Sequence, residues 1–212
     1  IHCAAMANVD ACESSPEQAH LVNAELPGWL ASACKKHSIR MIHISTDAVF
    51  DGQKGNYREE DAPNPLSVYA STKLAGEQAV LSEHAAALIT RVNFYGWSAA
   101  GNRSLAENFV NNLSAGKTMM GFTDVIFCPL NILDLSALLV EVSVLDLSGI
   151  YHMVGAQAMS KYQFGIKIAE TFGFDTGLIN PVSVSESGLK AARSPNLSLS
   201  VEKLLYALGH DL

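Results

Sequence analysis

The sequence predicts an α/β fold in which helices cover a parallel sheet. Short segments rich in β-branched residues alternate with longer helical segments. Polar residues also follow a strand directly, since the segment Ile39–Ser45 runs into Thr46 and Asp47. The chain has 212 residues, of which 49% are hydrophobic. It is therefore long enough and apolar enough to form a sizeable core.

The first half is predicted to alternate between strands and helices. Pro27 must begin or kink a helix. Pro65 suits the first position of another helix, where its missing N–H costs nothing. Gly76 would let that second helix approach a neighbour closely. Its core stripe is expected at Leu66, Ala70, Leu74 and Leu81. The predicted strands are Ile1–Ala5, Ile39–Ser45 and Ala86–Val92, and the predicted helices are Pro16–Asn23, 27–35 and Pro65–Glu83.

The second half is predicted to be less regular. Ser160 and Ser200 are placed as N-caps of helices, and Gly209 as the residue that ends the last helix. Predicted helices are 103–115, 132–147, 160–172 and 201–208, and predicted strands are 117–122, 124–127, 149–154 and 179–184. We assign residues 1–96 to one domain and 97–212 mainly to a smaller lobe, with segments that return to the sheet of the first domain.

Composition excludes several classes of function. The net charge of −7 argues against nucleic acid as a partner, because that requires a basic surface. The four cysteines have no Cys-x-x-Cys spacing, and with the scattered histidines they form no metal-binding pattern. We expect reduced cysteines in a cytoplasmic protein. No apolar segment approaches the ~20 residues of a membrane span.

A tyrosine and a lysine stand four residues apart in the helix predicted after Pro65. Tyr69 and Lys73 therefore lie on one helical face. A fixed positive charge beside a phenol lowers its pKa toward neutrality, and a hydroxyl such as that of Thr46 can orient a substrate oxygen. The spacing alone is common by chance. Its position near the carboxyl end of a strand, where ligands bind in open α/β sheets, favours a catalytic interpretation.

Three segments carry a family resemblance: Ser45–Gly52, Tyr57–Asp61 and Pro65–Glu77. Together they resemble the extended short-chain dehydrogenase/reductases, and most of all the dTDP-4-dehydrorhamnose reductase group. The resemblance extends over essentially the whole chain. It implies a Rossmann-like, doubly wound parallel sheet and a smaller, irregular α/β lobe that closes over a sugar nucleotide. It also implies NADP or NAD as the cofactor.

The resemblance assigns three catalytic residues. Tyr69 would act as the general acid, and Lys73 would lower the tyrosine pKa and hold the ribose hydroxyls of the cofactor. Thr46 is preferred to Ser45 for orienting the reacting oxygen, since the family's catalytic hydroxyl lies three residues before the valine that is here Val49.

Further residues are expected at the cofactor. Ala4 and Ala5 would lie beside its ribose or pyrophosphate, or would simply be small residues at a tight junction. Ser45 would border the cofactor at the end of its strand. Val92 and Asn93 end the next strand and would meet the nicotinamide carboxamide.

The substrate is expected at Asp47, Val49, Phe94 and Arg193. Asp47 would touch a sugar hydroxyl or cap a turn, and Phe94 would stack on the sugar or fill the core. Arg193 suits a diphosphate oxygen, or is a surface arginine. Related dehydratases carry an Asp-Glu pair after the threonine. Ala48 stands at the second of these positions, which favours simple reduction over dehydration.

The glycine-rich turn of a dinucleotide site is absent from the sequence. We expect it within roughly 60 residues upstream of Ile1, at ~30 residues per βαβ unit. The choice between NAD and NADP stays open without that segment. Two other functions stay open as well: a regulatory subunit like that of methionine adenosyltransferase, which shares the Tyr57–Asp61 motif, and a nucleotide-sugar epimerase. A homodimer is also compatible with the sequence.

Overall fold

The computed structural model describes residues 1–186 and 194–211. The first half contains α1 (Val9–Ser14), α2 (Pro16–His20), a π-helical turn (Leu21–Glu25), α3 (Leu26–Lys36), β1 (Ile42–Thr46), α4 (Val68–Glu83) and β2 (Leu88–Val92). The second half contains β3 (Phe94–Tyr95), α5 (Leu105–Ser114), β4 (Met119–Phe122), β5 (Ile126–Phe127), β6 (Leu130–Asn131), α6 (Ile132–Ser143), β7 (Gly149–Met153), β8 (Met159–Ser160), α7 (Lys161–Phe172), β9 (Ile179–Val182) and α8 (Glu202–Leu208).

The central sheet is parallel and has the order β1-β2-β7. Hydrophobic residues of α3 and α4 pack on one face of it, and residues of α6 and α8 pack on the other. Thr46 is paired with Val92, and Val92 with Met153, so the carboxyl ends of all three strands are level. The predicted doubly wound α/β class is confirmed.

The N-terminal segment lies beside β1 but forms less strand than predicted. Of Ile1–Ala5, only His2 makes a parallel bridge, with His43. The N–H of His2 donates to the carbonyl of Ile42 at 2.8 Å, and the N–H of Ile44 donates to the carbonyl of His2 at 3.1 Å. Paired strand ends after that residue, and the chain passes on toward α1.

Helix α4 begins later than Pro65, which corrects the predicted start. Ser67 is the N-cap, and its hydroxyl accepts from the N–H of Ala70 at 3.2 Å. The predicted core stripe is also only partly right, because Leu66 is exposed. The most buried side of α4 instead carries polar residues, Lys73 and Glu77, which find partners beneath the helix.

Two other helix ends agree with their predicted signals. Ser160 and Gln163 form a reciprocal capping box at the start of α7. Gly209 ends α8 in the left-handed conformation. The prediction of Ser200 as the N-cap of the last helix is wrong, because α8 begins one residue later and Val201 is its N-cap; the hydroxyl of Ser200 still accepts from the N–H of Glu202 at 3.3 Å. Within the described parts of the chain, no helix combines the length and apolarity needed to cross a membrane.

Outside the central sheet, α5 and α7 pack together over the short strands β4, β5, β8 and β9. The segment 194–200 joins this region to the loop after β1. The N–H of Asn196 donates to the carbonyl of Gly52 at 3.1 Å, and the N–H of Leu197 donates to that of Ile126 at 2.9 Å. We call residues 194–200 the connecting strap.

Gly76 fixes the approach of α4 to the π-helical turn. A Cβ built on Gly76 would overlap the carbonyl oxygen of Asn23. We expect Gly76→Ala to lower the free energy of unfolding by about 2 kcal/mol. The added methyl group would be forced against the backbone of the π-helical turn, and this cost outweighs the gain in helix propensity. Urea unfolding measures this.

The matched control is Gly28→Ala on α3, where the added methyl would lie 3.1 Å from the Cβ of Ala79. A shift of a few tenths of an ångström between the helices relieves this contact, so we expect a smaller loss. A Gly76→Ala protein as stable as the parent would contradict the prediction.

Candidate active site

A cavity of ≈ 260 Å³ lies at the carboxyl ends of β1 and β2, beside the first turns of α4. Its position is the one expected for a ligand site in an open parallel sheet. The cavity brings together most of the residues that the sequence predicted. It is lined by Cys3, Ala5, Ala7, Ile44, Ser45, Thr46, Asp47, Tyr69, Lys73, Val92, Asn93 and Phe94.

Tyr69 and Thr46 meet within this cavity, although one begins a helix and the other ends a strand. Burial raises the pKa of Tyr69 to about 12, because it disfavours the phenolate; a hydrogen bond with Thr46 opposes this shift, and the nearby Asp47 charge adds to it. The expectation that Lys73 brings this pKa toward neutrality does not hold in this structure. The phenol is therefore fully protonated at neutral pH, and in that state it can donate.

Lys73 is buried and its ammonium has two acceptors. It donates to the carbonyl oxygen of Ile44 at 2.6 Å and lies 3.4 Å from Nε2 of His43. Burial lowers the pKa of Lys73 to about 8, while the charge of Glu77 acts in the opposite direction. A small change in its surroundings will therefore decide whether this lysine is charged near neutrality.

Asp47 is buried at the floor of the cavity and is tied to its neighbours. Its carboxylate accepts from Nδ2 of Asn93 at 2.5 Å and from the hydroxyl of Thr46 at 3.1 Å. Burial raises the pKa of Asp47 to about 6, and the hydrogen bonds from Asn93 and Thr46 only partly offset the cost of the charge. Both oxygens of Asp47 are therefore engaged within the protein.

A buried ionic network lies under α4, and no role was predicted for it. Arg91 donates to Glu77 through Nη2 at 2.7 Å and through Nε at 3.0 Å, and both side chains are 2% exposed. The hydroxyl of Ser45 donates to the same carboxylate. Glu77 is the last residue of one of the resembling segments, and Arg91 lies within the predicted strand Ala86–Val92.

Not every predicted site residue reaches the cavity. Val49 is fully buried in a hydrophobic cluster with Phe50 and so does not meet a substrate, which corrects that prediction. Ala4 is exposed and does not line the cavity. Ser45 does line it, but its hydroxyl is used by Glu77. Arg193 lies outside the described residues.

Within residues 1–186 and 194–211, no group of three or more histidine, cysteine or acidic side chains is placed to hold a metal ion.

The buried polar residues that sequence reasoning missed are His43, Glu77 and Arg91. A signal was present for each of them, namely a polar residue at an inward position of a predicted buried strand or helix.

Comparison with known proteins identifies the family. The model of the RmlD substrate binding domain matches residues 1–212. The chain belongs to this family. The RmlD family is the dTDP-4-dehydrorhamnose reductase-like branch of the extended short-chain dehydrogenase/reductases, which are NAD(P)-dependent oxidoreductases, so the predicted resemblance is confirmed.

Three proteins similar to this RmlD-family chain have different functions in their names. A probable low-salt glycan biosynthesis reductase of Haloferax volcanii is 37% identical over 99% of this chain and 71% of that protein. The methionine adenosyltransferase 2 subunit beta of Bos taurus is 32% identical over 96% of this chain. A dTDP-4-dehydrorhamnose reductase of Bacillus anthracis, solved in complex with NADP, is 27% identical and matches with a TM-score of 0.91, covering 99% of this chain and 74% of its own. The chain spans 63% of the length of the bovine subunit.

The buried carboxyl of Asp47 makes the stability of this RmlD-family fold depend on pH. Its pKa is about 6 in the folded protein against 3.8 for an ordinary aspartate. The folded state thus binds the proton more tightly, and the associated stability is present below pH ~4 and lost as pH rises through about 6. We expect Asp47→Asn to raise the free energy of unfolding by about 3 kcal/mol near pH 7 and to change it little near pH 4.

Urea unfolding at the two pH values checks this. Asp51→Asn is the control of opposite sign, because hydrogen bonds from Tyr57, Gln53 and Asn64 lower the pKa of Asp51 to about 2. That variant should be less stable near neutral pH. An Asp47→Asn protein destabilised near neutrality would show that the buried carboxylate is not a cost to the fold.

Proposed function

We propose that this chain carries the catalytic residues of an NAD(P)H-dependent reductase that acts on a 4-keto sugar nucleotide in deoxysugar biosynthesis. One observation carries the proposal: Thr46, Tyr69 and Lys73 converge on one cavity at the carboxyl ends of parallel strands. The similarity to glycan and dTDP-4-dehydrorhamnose reductases supports the substrate class.

The residues lining the cavity fit a dinucleotide. Cys3, Ala5 and Ala7 form a wall of small side chains along which a cofactor can lie close to the backbone. Lys73 has three N–H donors, of which two are used by Ile44 and His43, and its contacts with the described residues leave the third for a ligand hydroxyl. NADPH or NADH, when bound, supplies the hydride. The NADP-bound relative supports this cofactor class.

The protein's own contribution is to place and release a proton. Tyr69 donates its hydroxyl proton to the carbonyl oxygen of the sugar as that oxygen gains negative charge. The hydroxyl of Thr46, which donates to Asp47 in this structure, would turn to donate to the same oxygen and hold it in place. The ammonium of Lys73 would hold a ribose hydroxyl of the cofactor. The carbonyl becomes a carbinol, and Tyr69 must then be reprotonated before the next turnover.

Two features favour reduction over related reactions. A phenol with a pKa of about 12 is protonated at neutral pH, so this site begins as a proton donor rather than as a base. Asp47 is followed by Ala48 instead of a second carboxylate, and its oxygens are held by Asn93 and Thr46. This site therefore lacks the two free carboxylates that such an elimination reaction needs.

Tyr69→Phe tests the assignment of the acid. We expect kcat for oxidation of NADPH or NADH with a 4-keto sugar nucleotide to fall on the order of 10²–10⁴-fold, because proton donation is lost. The melting temperature should change little. Tyr206→Phe is the matched control, since Tyr206 is 92% exposed and lies on α8, away from the cavity. Full activity in the Tyr69→Phe protein would show that another group supplies the proton.

A second function is favoured by one specific similarity. The chain is 32% identical to methionine adenosyltransferase 2 subunit beta over 96% of its length. A regulatory subunit would co-purify with a methionine adenosyltransferase and would oxidise no NADPH with any of a panel of keto-sugar nucleotides. An epimerase of the same fold would instead retain NAD tightly and consume no reduced cofactor. The same panel therefore separates all three functions.

A further inference from the structure

The ammonium of Lys73 is held from behind by a pair of histidines. Nε2 of His43 lies 3.4 Å from Nζ of Lys73, and Nδ1 of His43 lies 2.9 Å from Nδ1 of His2. The two imidazole rings are stacked, with centroids 5.1 Å apart and an interplanar angle of 16°. Lys73, His43 and His2 thus form a continuous row of nitrogen atoms leading away from the cavity.

The direction of each hydrogen bond in this row follows from the ammonium. A lysine ammonium can only donate, so Nε2 of His43 must accept. His43 then carries its proton on Nδ1 and donates it to Nδ1 of His2. His2 consequently carries its own proton on Nε2, an atom without a hydrogen-bond partner in the described chain. One tautomer of each ring therefore satisfies both nitrogen–nitrogen contacts of the row.

His43 is suited to be a neutral acceptor. It is fully buried, and burial, assisted by the charge of Lys73, lowers the pKa of His43 to about 2. Burial also lowers the pKa of His2. An imidazolium at His43 would repel the ammonium, but at any working pH the ring is uncharged and offers Lys73 a lone pair.

We infer that His43, held in one tautomer by His2, is a positioning residue that keeps the ammonium of Lys73 charged and directed into the cavity. The role of His43 in catalysis rests on the proposed reductase function, whereas its hydrogen bond to Lys73 does not depend on that function. Without His43, only the carbonyl of Ile44 would anchor the ammonium from behind.

Other titratable groups also act on Lys73. Glu77, on the same helix, and Cys3, on the N-terminal segment, both raise its pKa. The negative charge of Glu77 is already shared with Arg91 of β2. The remaining titratable groups of the cavity are Tyr69, which is neutral, and Asp47. Substitution of His43 by an uncharged residue leaves all these charges in place, so its effect reports the hydrogen bond.

Three variants separate the hydrogen bond from packing. His43→Leu removes the acceptor, and His43→Gln restores one through its amide oxygen. His84→Gln is the control, because His84 ends α4 and contacts the carbonyl of Ile39, far from Lys73 in the helix. The measurement is the pKa of Lys73 by NMR of ¹⁵Nζ- and ¹³Cε-labelled lysine in the ligand-free protein.

We expect His43→Leu to lower the pKa of Lys73 by about one unit, a tenfold change in the protonation equilibrium. His43→Gln should recover most of this shift, and His84→Gln should leave the pKa unchanged. An unchanged pKa in His43→Leu would overturn the inference. If that variant does not fold, the comparison of His43→Gln with the parent and the tautomer measurement below decide the matter.

The tautomer can be measured in the parent protein. The ¹⁵N shifts of His43 should report a proton on Nδ1, and His2→Phe, which removes the acceptor, should shift the population toward the Nε2 proton. A parent protein with the proton of His43 on Nε2 would overturn the inference, since that atom could then not accept from Lys73.

Kinetics complete the test. Activity that needs a charged Lys73 is lost as pH rises through its pKa, so in His43→Leu the alkaline decline should begin about one pH unit lower, with kcat affected more than KM. A parent that binds NADPH or NADH but shows no reductase activity would refute the proposed function, and the NMR results would still decide the inference. An active parent whose alkaline limb does not move in His43→Leu would refute the inference alone.

Discussion

A single buried ion pair determines where α4 lies on the sheet. Glu77 and Arg91 are joined by charge-assisted hydrogen bonds and are both almost fully shielded from water. The loss of one partner of such a pair commonly costs about 3–5 kcal/mol, because the other charge remains buried. The hydroxyl of Ser45 joins the pair from β1, so that the helix, β1 and β2 share one polar contact. This contact helps to hold the helix that carries Tyr69 and Lys73 against the strand that ends at Thr46.

The sheet itself provides the other half of this arrangement. Because β1, β2 and β7 are parallel and end at the same level, the residues that follow them gather on one edge. Asp47 and Asn93 each come directly after a strand and form a short hydrogen bond across the gap between β1 and β2. Burial raises the pKa of the Asp47 carboxyl to about 6, and a cost of this kind to the fold is typical of functional sites.

The fold class and the meeting of Thr46, Tyr69 and Lys73 at one cavity could be predicted because their signals are local. A four-residue spacing places Tyr69 and Lys73 on one helical face, and the end of a β-branched segment places Thr46 at the sheet edge. Other features depend on tertiary surroundings. The pKa of Tyr69 rises because the ring is buried, and Val49 turns into the core; neither is encoded in spacing.

The buried face of helix α4 was also predicted incorrectly from the sequence. The expected stripe began at Leu66, which lies outside the helix and is exposed. The most buried face carries Lys73, Gly76 and Glu77, because partners on β1 and β2 satisfy their polar groups. Hydrophobic periodicity interprets such a face as the solvent side. The buried position of this face can be recognised only when Arg91 and His43 are known to be its inward-facing partners.

The connecting strap is attached mainly through backbone atoms, and this has a consequence for how the family can vary. The bonds from Asn196 to Gly52 and from Leu197 to Ile126 use main-chain groups only, while the side chains of Leu197 and Leu199 pack into a hydrophobic cluster. Gly52 and Gly55 face the strap with positive φ angles of +80° and +68°, and neither leaves room for a methyl group. Substitution should therefore be tolerated least at these two glycines.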